Sequence, residues 1–315
     1  MQALVIGGNG FIGTNLVLRL LKDGYTVRVY DRADSYFLDR LSGVEYIYGE
    51  LGNIGSITSA LSGVEIVYHL AATTKPESSN NDPAFDVVSN VADSIHLFEQ
   101  CVKEKVKRVI FISSGGTVYG IPNYIPINEV HSTEPICSYG ITKLTIEKYL
   151  SLFKRLHGLE YIVLRVSNPF GPFQNPFSQQ GAIAVFMYKI FNKLPITIWG
   201  DGAVVRDYLF IEDLIDALLK ASQITITDHN VFNISSGKGI SLNKIISEIE
   251  YASKQKADVQ YRPSRKFDVQ ENVLDNQLAL NHLEWKPSTS LQDGLKKNYH
   301  WMSKIMDRFK PHYIY

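Results

Sequence analysis

The chain has 315 residues, of which 45% are hydrophobic and 20% are charged, a composition typical of a globular enzyme with one or two domains. Lysine and arginine together number 32, as do aspartate and glutamate, so no basic excess favours binding to nucleic acid or to an anionic membrane. The two cysteines lie in no CxxC or Cys/His cluster, which predicts neither a disulfide framework nor a metal site, and no apolar run reaches the ~18 residues of a membrane span.

From the N-terminus, short runs rich in β-branched residues alternate with segments of helical spacing. The predicted strands cover residues 3–7, 26–30, 44–48, 66–70, 108–113 and 161–166. The predicted helices between them cover residues 14–22, 54–61, 87–105 and 139–157. Strands that alternate with helices indicate βαβ units, so the predicted fold class is α/β, with a doubly wound parallel sheet of the Rossmann type covered on both faces.

The composition changes after residue 166, where residues 167–180 are crowded with proline, glycine, asparagine, glutamine and phenylalanine, as in a binding loop. Smaller predicted elements then follow. The predicted helices cover residues 182–192, 210–222 and 291–307, and the predicted strands cover residues 196–199 and 231–234. We therefore expect a first domain over residues 1–166, to which residues 210–235 return, and a smaller C-terminal α/β portion over residues 167–315.

A glycine-rich turn separates the first predicted strand from the first predicted helix, with the sequence Gly7-Gly8-Asn9-Gly10-Phe11-Ile12-Gly13. Glycines there allow a sharp turn, close approach of the backbone to a pyrophosphate and tight packing of helix on strand. The helix N-terminus offers free amide groups and a positive dipole end to an anion.

An acidic residue lies at the position from which a dinucleotide-binding site recognises the ribose. Asp31 follows Gly13 by 18 residues at the end of the second strand, where its carboxylate can accept hydrogen bonds from ribose hydroxyls and would repel a 2′-phosphate. The first domain is therefore predicted to bind a dinucleotide, with NAD favoured over NADP. Arg32, the next residue, weakens this preference a little.

Tyr139 and Lys143 lie four residues apart in the predicted helix 139–157, so they share one face about one turn apart. A phenol with an ordinary pKa near ~10 is a poor base at neutral pH. A neighbouring ammonium and a nicotinamide cation both stabilise the phenolate. The pair therefore predicts a tyrosine acid/base and a lysine that assists it and can also bond the nicotinamide ribose.

The spacing of the three turn glycines and the Tyr-x-x-x-Lys sequence together resemble the extended short-chain dehydrogenase/reductase family. Matching segments recur along nearly the whole chain: Leu70-Ala71-Ala72 resembles the loop beside the cofactor, Glu50-Leu51 the segment at the adenine, and Asn90 the family's helix asparagine. The resemblance implies cofactor contacts from Gly7, Gly10, Phe11, Ile12, Gly13, Asp31, Arg32, Glu50, Leu51, Leu70, Ala71, Ala72, Asn90, Ser113, Tyr139 and Lys143.

Residues 112–120 resemble the strand end that carries the family's catalytic serine or threonine, whose hydroxyl holds the sugar oxygen. Counting back from residues 118–120, the usual hydroxyl position falls on Gly115, which is a departure from the family pattern. Ser114 and Thr117 are the two candidates to replace it, and the sequence does not rank them. Family 4,6-dehydratases place an Asp-Glu pair where this chain has Gly116-Thr117, so dehydration is disfavoured.

Three loops of the C-terminal portion resemble segments with which the family binds a nucleoside-diphosphate sugar. The resemblance implies that Asn168 contacts the diphosphate, that Thr197 lies in a strand against the base, and that Asp268 contacts the ribose. Arg206 and Arg265 are placed to hold phosphate oxygens, because guanidinium groups offer paired donors to oxyanions. A nucleotide sugar is therefore the implied substrate, bound to the portion over residues 167–315.

The resemblance implies epimerisation at C4 of a nucleoside-diphosphate hexose through a transient 4-keto sugar, a step in carbohydrate biosynthesis. The alternatives are a nucleotide 4-keto-sugar reductase or dehydrogenase and, less favoured, a 4,6-dehydratase. A catalytically silent binding protein on the same scaffold is disfavoured by the intact Tyr139 and Lys143. The family also implies a homodimer through helices 87–105 and 139–157. A strand in place of a signal peptide predicts a cytoplasmic protein.

Overall fold

The computed structural model describes residues 1–177, 180–224, 229–264 and 269–305 of the chain. Strands are numbered here in chain order. They are β1 Gln2–Ile6, β2 Thr26–Asp31, β3 Val44–Tyr48, β4 Ile66–His69, β5 Arg108–Ser114, β6 Glu160–Val166, β7 Asn168–Phe170, β8 Ile196–Trp199, β9 Val205–Phe210, β10 Val231–Ile234, β11 Gly239–Ser241, β12 Val259–Arg262 and β13 Glu271–Asn272.

The helices are numbered in the same way. They are α1 Phe11–Lys22, α2 Ile54–Leu61, α3 Pro83–Asp86, α4 Asp93–Lys103, α5 Ser138–His157, α6 Ala182–Phe191, α7 Ile211–Gln223, α8 Leu242–Ser253, α9 Gln277–Leu283 and α10 Leu291–Ile305. A 3₁₀ turn at Ser79–Asn81 precedes α3, and a π-helical turn at Val87–Ala92 joins α3 to α4. The helix predicted over residues 87–105 therefore begins as a π turn and not as a regular α-helix.

The large sheet has seven parallel strands in the order β10-β6-β5-β4-β1-β2-β3. The chain runs outward from β1 to β3 and then returns to continue from β4 in the other direction. Helices α1 and α7 bury one face of this sheet, and helices α2, α4 and α5 bury the other. The predicted doubly wound α/β fold is confirmed.

Beyond β6 the chain builds two small sheets beside the large one. The first has four strands, in which β9 pairs with β7, β11 and β13, and the second pairs β8 with β12 in parallel. Between them the chain crosses back, since α7 packs on β5 and β6 and Val231 of β10 pairs with Val163 of β6. No helix in the described part of the chain is both long and apolar enough to cross a membrane.

The connectivity of the large sheet leaves a crevice at its carboxyl edge. The chain leaves the neighbouring strands β1 and β4 in opposite directions, so the loops that follow them diverge above the sheet. In open α/β sheets a ligand binds in such a crevice. The loops after β1 and β4 contain the glycine-rich turn and residues 70–74.

Candidate functional site

The glycine-rich turn wraps tightly between β1 and α1. Gly7 has a φ of 80°, in the left-handed region, and a Cβ on Gly7 would stand 3.0 Å from the backbone nitrogen of Ala71. A Cβ on Gly13 would lie 2.2 Å from the carbonyl oxygen of Gly7, which no side chain tolerates. Helix α1 begins directly after Gly10 with no side chain capping its first amides. This turn therefore brings bare backbone and a helix N-terminus to the crevice, as a pyrophosphate requires.

Asp31 ends β2 beside this turn. Its carboxylate accepts hydrogen bonds from the backbone amides of Asn9, at 2.9 Å, and Arg32, at 2.8 Å. These two bonds fix the carboxylate at the edge of the crevice while leaving acceptor capacity on both oxygens. The arrangement suits the predicted recognition of ribose hydroxyls.

A cleft of about 400 Å³ runs along this edge of the sheet. Ten of the residues predicted to contact a cofactor line it: Gly7, Gly10, Asp31, Arg32, Glu50, Leu51, Leu70, Ala71, Ala72 and Asn90. Phe11, Ile12 and Gly13 lie behind the wall in α1, and Ser113, Tyr139 and Lys143 lie outside the lining. The lining also includes residues that sequence reasoning missed: Thr73, Phe85, Ser89 and Asp93.

Helix α5 carries the predicted acid/base pair in its first two turns. Lys143 is 4% exposed, and its ammonium donates a 2.9 Å hydrogen bond to the carbonyl of Ile112 at the end of β5. The Lys143 nitrogen lies 4.7 Å from the centre of the Phe111 ring and 5.6 Å from that of Tyr139. The predicted one-turn spacing thus places the ammonium beside the phenol ring, under the end of the sheet.

Burial dominates the electrostatics of this pair. Desolvation lowers the pKa of Lys143 to about 8, while the carboxylates of Glu147 and Asp86 act to raise it. Desolvation, then the negative fields of Cys137 and Asp86, raises the pKa of Tyr139 above its ordinary value. The ammonium therefore does not by itself make the phenol acidic, and a second cation beside the ring is needed.

Gly115 lies against the side chain of Leu274. A Cβ on Gly115 would lie 2.3 Å from a methyl group of Leu274, so a serine or threonine there would require the Leu274 side chain to move. Of the neighbouring hydroxyls, Ser113 donates to Glu147, and Ser114 ends β5 half-buried. The hydroxyl oxygen of Thr117 is enclosed and has no hydrogen-bond partner among the described residues.

A buried ion pair that the sequence did not signal anchors α5 to the large sheet. Glu147 lies one turn beyond Lys143, and its carboxylate receives two donor nitrogens of Arg165 on β6, the shorter bond being 2.6 Å. The same carboxylate accepts from Ser113 on β5, and Arg165 also donates to the Tyr119 hydroxyl at 3.0 Å. Only the i+4 spacing after Lys143 could have pointed to Glu147.

A second cleft, of about 370 Å³, opens between the small sheets and α6. Three residues predicted to bind substrate line it: Asn168 on β7, Thr197 on β8 and Arg206 on β9. The side-chain amide of Asn168 donates to the carbonyl of Asp207 at 2.9 Å, which fixes the orientation of the amide group. Arg265 and Asp268, the other two predicted substrate residues, lie outside the described residues.

Comparison with known proteins now identifies the family. Residues 3–235 match the NAD dependent epimerase/dehydratase family. The chain belongs to this family. The resemblance to extended short-chain dehydrogenases noted in the sequence is therefore confirmed, as is NAD as the cofactor.

Individual members of the epimerase/dehydratase family match over almost the full length. A putative UDP-glucose 4-epimerase of Methanocaldococcus jannaschii is 32% identical over 95% of this chain and 97% of its own. A dTDP-4-dehydro-6-deoxyglucose reductase of Escherichia coli is 32% identical over 93% of this chain and 95% of its own. The crystal structure of a Thermotoga maritima UDP-glucose 4-epimerase with UDP-glucose is 34% identical, with a TM-score of 0.92 over 97% of this chain and all of that one.

The cleft at the edge of the large sheet fits the cofactor of the epimerase/dehydratase family. The close approaches at Gly7 and Gly13 admit nothing larger than hydrogen on these glycines, so the turn presents bare backbone to a pyrophosphate. Asp31 would hold the adenosine ribose, and the wall from Leu70 to Ala72 would lie along the dinucleotide. An oxidised nicotinamide near Tyr139 would also supply the second cation that the phenol requires.

Proposed function

We propose that this protein is an NAD-dependent 4-epimerase of a nucleoside-diphosphate hexose, with a UDP-hexose as the favoured substrate. The observation that carries the proposal is a half-buried Tyr139 beside a buried Lys143 near the carboxyl end of β5, in the same sheet whose carboxyl edge carries the dinucleotide cleft. Relatives named as UDP-glucose 4-epimerases match this chain from end to end, which supports both the reaction and the nucleotide.

In the proposed reaction Tyr139 accepts the proton of the sugar's 4-hydroxyl and later returns it. NAD, held by the cleft that Gly7 and Asp31 line, would supply the hydride chemistry at C4 that inverts this carbon. Lys143, held at 2.9 Å from the Ile112 carbonyl, keeps its positive charge next to the phenol. A 4-epimerisation needs no external reductant, because substrate and product have the same oxidation state.

Between the two candidate hydroxyls, we favour Thr117 as the group that holds the sugar oxygen. An enclosed hydroxyl without a partner among the described residues is costly, and a substrate oxygen would satisfy it. Ser114 stays as the alternative.

For the nucleotide, we propose that the second cleft holds the base and diphosphate. Arg206 and the sequence-predicted Arg265 would pair with phosphate oxygens, because two guanidinium groups match the charge of one diphosphate. Thr197 would lie against the base, Asn168 would meet the diphosphate, and Asp268 would meet the ribose. On this proposal residues 1–166, with 210–235, bind the cofactor, and residues 167–315 bind the substrate.

A keto-sugar reductase is the second candidate, because the reductase of Escherichia coli is as similar as the epimerase of Methanocaldococcus jannaschii. Purified protein incubated with UDP-glucose or UDP-galactose and no added NADH separates the two. We expect interconversion of the two sugars without net oxidation or reduction. If conversion starts only when NADH is added and consumes it one for one, the protein is a reductase.

The role of the phenol is tested by Tyr139→Phe. This variant should lose turnover while retaining binding of UDP-sugar, measured by calorimetry, because the ring keeps its packing and only the hydroxyl is lost. Conversion by the variant at a rate near that of the wild-type protein would overturn the assignment.

We propose that the protein forms a homodimer. We also propose that it is located in the cytoplasm and acts in carbohydrate biosynthesis. Support for the dimer comes from helix α5, where the apolar side chains of Ile141, Leu152 and Leu156 are exposed along one stripe. The neighbouring π turn adds the exposed Val87 and Val88.

A further inference from the structure

Asp86, the last residue of α3, is a fully buried carboxylate that the proposed reaction does not use as an acid or a base. Its exposure is 0%, and the hydrogen bonds to its carboxylate come from neutral side chains. The Ser138 hydroxyl donates to one oxygen at 2.6 Å, and the Asn90 amide donates to the other at 2.9 Å together with the Thr74 hydroxyl. Burial of a carboxylate is costly, and three side chains donate hydrogen bonds that offset this cost for Asp86. Such an arrangement indicates a specific role for the carboxylate.

The first of these donors belongs to the catalytic helix. Ser138 opens α5 directly before Tyr139, and the preceding Cys137 provides no side-chain cap. The first amides of α5 are instead satisfied from the segment before α3. The amide of Ser138 donates to the Asn80 side chain at 2.9 Å, and that of Tyr139 donates to the Ser79 hydroxyl at 3.0 Å. The start of α5 is thus fixed by residues 79–86 and not by its own sequence.

The second donor belongs to the wall of the cofactor cleft. Asn90 lines the cleft, as do Thr73 and Ser89. The side chain of Asn90 accepts from the Thr73 amide at 3.0 Å and donates to the Thr73 hydroxyl at 2.7 Å. Asn90 lies within the π turn, a local widening of the helix that often occurs at functional sites.

We propose that Asp86 is a positioning residue that sets the distance between Tyr139 and the cofactor cleft, by tying Ser138 at the start of the catalytic helix to Asn90 in the cleft wall. The inference rests on the proposed function, because it takes Tyr139 as the acid/base of an NAD-dependent epimerase. Proton and hydride transfer are both steep functions of distance, so a shift of about 1 Å in the phenol affects turnover more than binding.

The test removes the tie to α5 and leaves the fold in place. Ser138→Ala deletes the hydroxyl that reaches Asp86, and Ser138→Thr restores a hydroxyl at the same position. Thr145→Ala is the matched control, since the Thr145 hydroxyl lies on the same helix but bonds only the carbonyl of Ile141 within it. Kinetics with UDP-glucose and hydrogen exchange of the amides at residues 138–142 are measured for each variant.

We expect Ser138→Ala to lower kcat about tenfold while KM changes by less than about twofold, since positioning acts on the chemical step. The amides at the start of α5 should exchange faster in this variant, Ser138→Thr should recover both properties, and Thr145→Ala should match the wild-type protein.

Two results would overturn the proposal. One is a Ser138→Ala protein with kcat and amide exchange like those of the wild type. The other is an equal loss of kcat in Thr145→Ala. If the wild-type protein converts no UDP-sugar, the proposed function fails on its own, and amide exchange then decides whether the tie exists.

Discussion

At the scale of single residues, the candidate site contains buried polar groups that lower the free energy of unfolding. Burial lowers the pKa of Lys143 from its ordinary 10.5 to about 8, so at neutral pH the fold must enclose an ammonium. This penalty is fully present below about pH 8 and is relieved as the pH rises toward the unfolded-state value. Lys143→Met should abolish turnover and yet raise the free energy of unfolding at pH 7 by about 1–2 kcal/mol, after the lost Ile112 bond is deducted.

Urea denaturation at pH 7 and at pH 9.5 measures this effect. The advantage of the methionine variant should shrink at the higher pH, because the wild-type lysine is then largely neutral in the fold. Lys148→Met, an exposed lysine on the same helix, is the control and should show no such dependence. A variant less stable than the wild type at both pH values would contradict the prediction.

The enclosed hydroxyl of Thr117 leads to a second prediction, in which a substitution lowers activity without lowering stability. Thr117→Val keeps the shape and removes an oxygen that has no partner among the described residues. It should lower kcat about tenfold while leaving the melting temperature unchanged or slightly higher, because an unsatisfied buried hydroxyl costs about 1 kcal/mol or more. Ser114→Ala, measured beside it, should retain most of the activity. The reverse ranking would assign the sugar contact to Ser114.

At the scale of elements, the sequence patterns located most helices and strands of the large sheet to within a few residues. Hydrophobic period and glycine turns are local signals, so β1, α1 and α5 follow from nearby residues. The π turn at Val87–Ala92 and the strand β9 were missed. Each has tertiary partners: the turn is bonded to Thr73 through Asn90, and β9 pairs with three short strands from distant loops.

The attachment of α5 to the sheet gives an element-scale prediction. Glu147→Gln leaves the Arg165 charge buried with weaker compensation, so the protein should lose about 3 kcal/mol of unfolding free energy. Glu212→Gln, which breaks the exposed pair of Glu212 with Lys297, should cost less than about 1 kcal/mol and serves as the control. Chemical denaturation measures both. Equal costs for the two variants would show that the buried pair does not anchor the helix.

At the scale of the whole molecule, the candidate site joins elements that are distant in sequence. The cofactor cleft draws its lining from the loops after β1, β2, β3 and β4, and the second cleft draws on β7, β8 and β9. Motif spacing identified Gly7, Asp31 and Lys143, because each motif is local. It did not identify Asp86, Glu147 or the contact of Leu274 with Gly115, since these contacts form only when separate segments pack together.

The proposed homodimer is the last prediction, and the exposed stripe on α5 makes it testable. Ile141 is 50% exposed and Leu156 is 63% exposed, large values for apolar side chains on one helix face. Leu156→Glu combined with Ile141→Glu should convert the protein from dimer to monomer in sedimentation, because paired apolar faces do not tolerate buried charges. Val130→Glu, at an 87% exposed loop position, is the control and should leave the dimer intact. A wild-type protein that sediments as a monomer at micromolar concentration would refute the dimer.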